Sequence, residues 1–435
     1  MKKKIFLVLI GISGLLLVMY LFNYKFPITI PTNIEDNFFI LAASIDKADN
    51  GEGIKVTIMS EKFGGASSNS ESSSGSKQAD IASSTGETTF DAIRKFSLFH
   101  NQKLFWGHIK YIIISEELAK ENILDYLDFF IRDHELRFNT SILIAKNTPA
   151  NEILKVGEET KEFVPDTIDS LLENANKISV SKEIRLVDIM QAYDNSFDDI
   201  TLPSITIKEQ QEDKEKSNEN EQDGQNSKKS DSSDSKEENS GKKEDEKSQK
   251  DLFIDGYAVI RNSKSAGFID GSLARGVNWV NNRVDSTDII VEDDKNKKVT
   301  LEVISSSSKV EVKYDGDLPE IKIKLKLSTN VAEQMSSDNI FSEDQLNILT
   351  EKQQVVVKKE VEEIVKYCQE NEVDILELGE AVYRKYPLKF EKIEDNWRET
   401  LKNVNISVDV ESKISRTYHV RDSIAPNSKK DGDRK

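Results

Sequence analysis

The sequence predicts an α+β protein, three mixed α/β domains behind a single N-terminal transmembrane helix, and three observations carry that expectation. Eighteen residues without a charge, Ile5 to Phe22, follow Lys2, Lys3 and Lys4. Residues 88–146 run helix, strand, helix, strand without a gap, the order that marks an α/β layer. From Lys298 onwards, strand patterns come in succession and long helical ones follow.

The apolar run spans roughly 27 Å as a helix, against a hydrocarbon core near 30 Å. A cleaved secretory signal has a shorter apolar region, and Met19 to Pro31 offers no small-x-small cleavage site. Lipoprotein processing needs a cysteine just after the run, and none stands there. The reading preferred is an uncleaved anchor. Three lysines before it and only Lys25 close behind place the N-terminus in the cytoplasm and the rest of the chain outside.

Asn37 to Ile45 and Ile54 to Met59 read as strands, the second alternating Ile54, Val56 and Ile58 with polar residues. Gly64 to Gly86 reads as a Ser/Gly/Asn-rich loop. Thr89 to Phe99 carries Phe90, Ile93, Phe96 and Leu98 at helical spacing, with Thr88 or Thr89 free to cap it. Ile109 to Ile114 and Phe138 to Ala145 are apolar, β-branched runs suited to strands buried on two faces, and Ile123 to Ile131 between them is a helix. Pro149 starts another helix, with Ile153 and Leu154 inward. These elements make an N-terminal α/β domain, residues 35–160, after a stub and anchor at 1–24.

Val164 to Asn176 and Ile184 to Tyr193 read as helices, and Leu202 to Ile207 as a strand. The forty-two residues from Glu209 to Lys250 then carry no apolar side chain, and fourteen Asp/Glu against nine Lys/Arg give −5. Such a stretch buries nothing and is expected to be disordered, an insertion within a middle domain at 161–285. Phe253 to Ile260 and Ala266 to Ile269 form a hairpin about Asn262-Ser263, and a short helix runs from Ser272 to Trp279. The last domain, 286–420, begins with three strands, Lys298 to Ile304, Lys309 to Tyr314 and Glu320 to Leu327. In the third, Ile321, Ile323, Leu325 and Leu327 alternate with Lys322, Lys324 and Lys326, one face buried and one wet. A long helix follows, opened by Ser342 and Gln345 as a capping box, then one capped by Asp374 and stopped at Pro387, then a short one around Trp397. Ile406, Val408 and Val410 alternate in a final strand, so the domain reads as an antiparallel sheet with helices on one face. Residues 421–435 read as a loose tail.

A net charge of −18 without a Lys/Arg stripe leaves no electrostatic footprint for nucleic acid. Cys368 is the single cysteine, so neither an intrachain disulfide nor a Cys-based zinc site can form, and its helical setting suits a buried, inert thiol. His100, His108, His134 and His419 show no metal-binding spacing. Asp133, His134 and Glu135 are adjacent and point apart, which favours a helix-end salt bridge over catalysis. His108, opening an apolar strand, reads as a buried hydrogen-bonded residue in preference to a pH-sensitive contact. Trp106 and Trp279 read as core or partner contacts. No nucleophile-base, metal or dinucleotide pattern is found, and no catalytic, cofactor or metal residue is assigned.

The stretch TTFDAIRKFSL, then KLFWGHIKYIIISEELAKENILDYLDFFIRDHELR, resembles the Ger(x)C family, the C subunits of spore germinant receptors. The matching positions are Thr88, Ala92 and Arg94, then Gly107 and His108, then Glu116, Glu117 and Ala119, then Arg132, Asp133, Glu135 and Arg137. DGYAVIRNSKSAGFIDG, with Gly256, and DILELGEAVYRKYP, followed by Trp397 and the strand to Arg416, resemble the family's later segments. The resemblance implies a fold of three mixed α/β domains and no enzymatic activity. It further implies a place in the spore inner membrane beside integral membrane receptor subunits of the A and B types, which would bind the nutrient. Gly107, His108, Glu116, Arg132, Asp133, Gly256, Trp397 and Arg416 would serve as structural or partner contacts. The missing lipobox cysteine and the acidic insertion depart from the family pattern, the transmembrane helix standing in for the lipid. An extracytoplasmic ligand-binding module and a cell-wall hydrolase are the competing classes.

Overall fold

The computed structural model describes residues 2–25, 37–61, 79–160, 162–194, 199–209, 250–314, 316–335, 340 and 342–417. α1 (Lys2–Lys25) is one continuous helix, and none of its apolar window, Lys3–Tyr20, is buried by the rest of the chain. Its length and composition suffice to cross a membrane.

The first layer is built from β1 (Asn37–Lys47), β2 (Ile54–Glu61), β3 (Ala79–Gly86), α2 (Thr89–Lys95), β4 (Lys103–Phe105), β5 (Tyr111–Ser115), α3 (Glu116–Ala119), α4 (Ile123–Arg132), β6 (Ser141–Ala145), α5 (Ala150–Thr160), α6 (Val164–Lys177), α7 (Leu186–Asp194), β7 (Ile200–Glu209), β8 (Lys250–Arg261) and β9 (Lys264–Ile269). Nine strands form one sheet in the order β3-β2-β1-β5-β6-β7-β8-β9, with β4 beside the start of β1. The centre, β1 through β7, is parallel, and the outer strands return antiparallel. β5 and β6 are buried at every residue, which is why their sequences read as continuous apolar runs. Helices α2, α4 and α7 cover one face through Phe96, Leu127, Phe130 and Leu186. The other face is covered by α5 and α6 through Ile153, Leu154, Ile168 and Leu172. The sheet passes through residue 160 without interruption, because β6 pairs with β7.

Two expectations for this layer are corrected. Ala79–Gly86, read as loop, is a strand held by a full ladder to β2 and by the Thr57–Ser83 hydroxyl contact at 2.8 Å. The helix from Thr89 is only two turns long before it tightens into a 3-10 turn, Phe96–Leu98, so Leu98 swings out to 82% exposure. Phe90 is 53% exposed and stacks on Phe129 at 5.6 Å. The acidic residues 210–249 lie outside the described residues, as do residues 62–78 and the tail at 421–435. Glu209 and Lys250, at the two ends of the acidic stretch, are a ladder pair, so the chain leaves and rejoins the sheet at one point.

The second layer contains α8 (Gly271–Val280), β10 (Asp288–Glu292), β11 (Lys298–Lys313), β12 (Glu320–Gln334), α9 (Glu343–Asn371), α10 (Leu378–Lys385), α11 (Pro387–Phe390), α12 (Trp397–Leu401) and β13 (Asn405–Thr417). Its sheet runs β10-β11-β12-β13. Ile321, Ile323, Leu325 and Leu327 are buried against Val357, Val361 and Ile364 of α9. On the wet face Lys322 pairs with Asp409, Lys324 with Glu311 and Lys326 with Glu411. Here the expected antiparallel sheet is corrected, since β12 and β13 are parallel. The helices between them are the crossover that a parallel pair requires. The strands expected at Lys298 to Ile304 and Lys309 to Tyr314 are one strand, continuous through Ser305–Ser308 because β12 pairs with it along that length.

β8 joins the two layers. In its first half Leu252 and Ile254 join the core under α5 and α6. A bulge at Asp255-Gly256 opposite Pro203–Ile205 then advances the alternation by one residue. Tyr257 and Val259 consequently lie on the same face as Ile254, but in the core of the second layer with Trp279, while Ala258 and Ile260 point into the first. Gly256 has φ +65, and a Cβ there would overlap the Ile269 carbonyl oxygen. Substitution Gly256→Val is expected to lower unfolding free energy by more than the ~1–3 kcal/mol of a strained left-handed residue, since the overlap adds to it; urea titration of the variant against the parent measures this.

Candidate functional site

Three buried carboxylates stand at and beside the seam between the layers: Asp199 on the first-layer side, and Glu360 and Asp374 within the second. Glu360 occupies the inner face of α9 between Val357 and Val361 and is buried. Both its oxygens accept from Arg275 on α8, at 3.0 and 2.9 Å from Nε, and Trp279 Nε1 donates to it at 2.8 Å. α8 approaches this closely because Gly276 faces α9: a Cβ would come within 2.7 Å of the Glu360 carbonyl oxygen.

A second group surrounds Asp374. Expected as a helix cap, it stands four residues before α10, and Glu377 holds the cap position in a left-handed conformation. Its carboxylate nevertheless accepts from the Leu378 and Gly379 amides at 3.0 and 2.6 Å, and from Trp397 Nε1 at 2.6 Å. The Asp374 amide in turn donates to Asp199 at 2.8 Å, and Asp199 receives the Arg398 guanidinium at 2.9 Å. Burial, reinforced by the Asp199 charge, pushes the Asp374 carboxyl up to about 6 against the donors that hold it ionised. Cys368 lies nearby in the same core, and burial pushes its thiol up. Beside this group opens a cleft of about 340 Å³ lined by charged side chains from both layers, among them Lys182, Glu183, Asp188, Arg283, Glu377 and Arg384. Arg283 pairs with Glu377 across its wall at 3.2 Å. The chemistry on view is charge pairing and helix capping.

The residues singled out in the sequence are spread over both layers. Gly107 sits in the turn before β5 with the Phe105 ring against it. His108 is exposed, not buried: it lies in the Gly107-His108 turn, closed by the Ile109 amide on the Trp106 carbonyl at 3.1 Å, and its ring packs on Phe39 at 5.4 Å and Phe105 at 5.5 Å. Glu116 opens α3, paired with Lys120 at 2.6 Å and accepting from the Asn147 amide at 3.1 Å. Arg132 pairs with Asp128 along α4, and Asp133 accepts from the Glu135 amide at 2.8 Å. Glu135 itself pairs with Lys103. Gly256 makes the bulge, Trp397 is bound to Asp374, and Arg416 stands opposite Asn330 in the β12–β13 ladder. Only Trp397 belongs to the seam groups.

Two family models together match most of the chain. Residues 31–207 match the spore germination protein N-terminal domain, and residues 255–418 match the spore germination B3/GerAC-like C-terminal domain. The chain belongs to the Ger(x)C family, the C subunits of germinant receptors. Among curated relatives, spore germination protein KC of Bacillus subtilis (strain 168) is 25% identical over 349 residues, 78% of each chain. Spore germination protein B3 of the same organism is 21% identical over 338 residues, 76% of this chain and 79% of that one. The crystal structure of the GerBC protein aligns with a TM-score of 0.49 at 17% identity, covering 86% of this chain and 96% of that one. Fold class stands on the two layers themselves, mixed α and β throughout.

Sequence reasoning missed Asp199, Arg275, Glu360 and Arg398. Glu360 carried a signal: a charge on the Val357, Val361, Ile364 face of an amphipathic helix breaks the pattern and needs a buried partner. Asp374 leads to a pH test in this family member. Its proton is held more tightly folded, at about 6, than at its ordinary 3.8. Its contribution to stability is therefore full below about pH 4 and is lost as pH rises through about 6, a change on the order of 3 kcal/mol. Asp374→Asn is expected to flatten that slope in urea midpoints taken across the window.

Proposed function

We propose that this protein is the non-enzymatic C subunit of a spore nutrient germinant receptor. α1 holds it in the spore inner membrane with the N-terminus cytoplasmic and the two layers extracytoplasmic. It acts by assembling with integral membrane subunits of the A and B types, which supply the nutrient site. The observation that carries this reading is α1: an apolar helix with no buried residue in its membrane-length window, attached to a family member's folded part. Two further features support it. The buried charges of the seam are consumed by one another and by helix termini, as in a scaffold that presents surface. The charged lining of the cleft suits contact with a polar partner surface.

Affinity capture of a tagged chain from spore membranes in mild detergent tests the assembly. The expected result is recovery of polytopic membrane proteins in fixed proportion with it, and loss of both membrane fractionation and co-recovery when residues 2–25 are deleted. A chain recovered alone from membranes, or one that sediments with membranes without α1, overturns the reading.

A further inference from the structure

We propose that the aromatic rim around the start of β1 rests on the headgroup region of the bilayer crossed by α1. The inference builds on the anchor reading above and adds which surface faces the membrane.

Two groups of rings flank the first three residues of β1. On one side, Phe38 meets the His100 ring at 5.2 Å, and His100 meets Phe99 at 5.4 Å. On the other, Phe39 meets Phe105 at 5.5 Å and His108 at 5.4 Å. β4 ties both groups to one place, since Lys103–Phe105 pairs with Asn37–Phe39. The outer members are in the open: Leu98 is 82% exposed and Phe99 58%, and His108 is exposed. The 3-10 turn that buries Phe96 is what turns Leu98 and Phe99 outward. A single exposed leucine is ordinary, but a leucine and a phenylalanine at the edge of two ring clusters make a patch.

The covalent chain says what covers it. α1 ends at Lys25 and β1 begins at Asn37 inside the patch. Twelve peptide steps reach roughly 40 Å at full stretch, so this edge of the first layer is tethered to the bilayer more tightly than any other part of either sheet. Exposed Leu and Phe side chains held beside a bilayer gain by entering the boundary between headgroups and acyl chains. A chain of net charge −18 is repelled by anionic headgroups, so an attractive contact there is apolar and is not weakened by salt.

The test uses the full chain in vesicles of phosphatidylethanolamine and phosphatidylglycerol. Cys368 is 1% exposed, so a thiol-directed environment-sensitive fluorophore goes selectively to an introduced cysteine. Leu98→Cys reports on the rim, Leu16→Cys on α1, and Leu388→Cys, at a site 75% exposed in the second layer, on open solvent. The expected result is quenching by spin-labelled lipid that is strong at 16, several-fold stronger at 98 than at 388, and not weakened by added salt. Quenching at 16 with 98 no different from 388 overturns the docking surface alone and turns the rim toward a protein partner or a second copy. No quenching at 16 overturns the anchor, and the docking surface with it.

Discussion

The whole arrangement depends on one backbone event, the change of phase in β8 at Gly256. A strand that alternates without a bulge sends its residues to two faces of one sheet in a fixed order. Here the extra residue keeps Leu252, Ile254, Tyr257 and Val259 on a single face, half of which lies under α5 and α6 and half under the second layer. Tyr257 then reaches Asn278 on α8 at 2.7 Å, and Asn278 reaches the Ser179 carbonyl at 2.7 Å. The bulge thus supplies both the apolar contact and the polar register between the layers. Its own carbonyls are taken up locally, Gly256 by the Ser181 hydroxyl and Asp255 by Ser204.

Around that joint, the buried ion pairs fix the arrangement more than they add strength, Asp199 with Arg398 between the layers and Glu360 with Arg275 between α8 and α9 within the second. Desolvating Glu360 and Asp199 costs several kcal/mol each, so the Arg275 and Arg398 pairs add little net stability compared with apolar packing. Breaking either from one side is another matter, about 3–5 kcal/mol, because a charge stays behind in the core. Any alternative packing of α8 on α9 leaves Glu360 without its three donors, and any shift of α10 uncovers Asp374. Orientation is fixed by penalties on the wrong arrangements.

Much of this was legible in the chain. The alternation from Ile321 to Leu327 gave the inner face of β12, and the apolar runs at Ile112 and Ile142 gave the buried centre of the first sheet. What failed had physical causes. Ser305–Ser308 has no β-forming side chain and Ala79–Gly86 only Ile81 and Thr85, so both are extended because a neighbour pairs with them, information that lies elsewhere in the sequence. The parallel sense of β13 was available, since a helical crossover between two strands of one sheet implies it. His108 misled because an apolar strand follows it, while Gly107 permits the turn that lifts it out. The seam carboxylates come from positions 199, 360 and 374, a convergence that single-chain periodicity does not encode.

These features together bear on how a contact at one end could matter at the other. With a total stability of about 5–15 kcal/mol typical of a folded domain, the one buried pair that spans the layers, Asp199 with Arg398, worth about 3–5 kcal/mol against one-sided rupture, and the core around Tyr257 and Val259 leave little room to slide the layers independently. The first layer, whose leading strand follows α1 in the chain, and the second, whose wet face carries the Lys322, Lys324 and Lys326 pairs, are therefore held in one arrangement at the seam. Asp199 receives the Arg398 guanidinium while it also accepts from the Asp374 amide, so a displacement of either layer at this point strips a buried carboxylate of its donors.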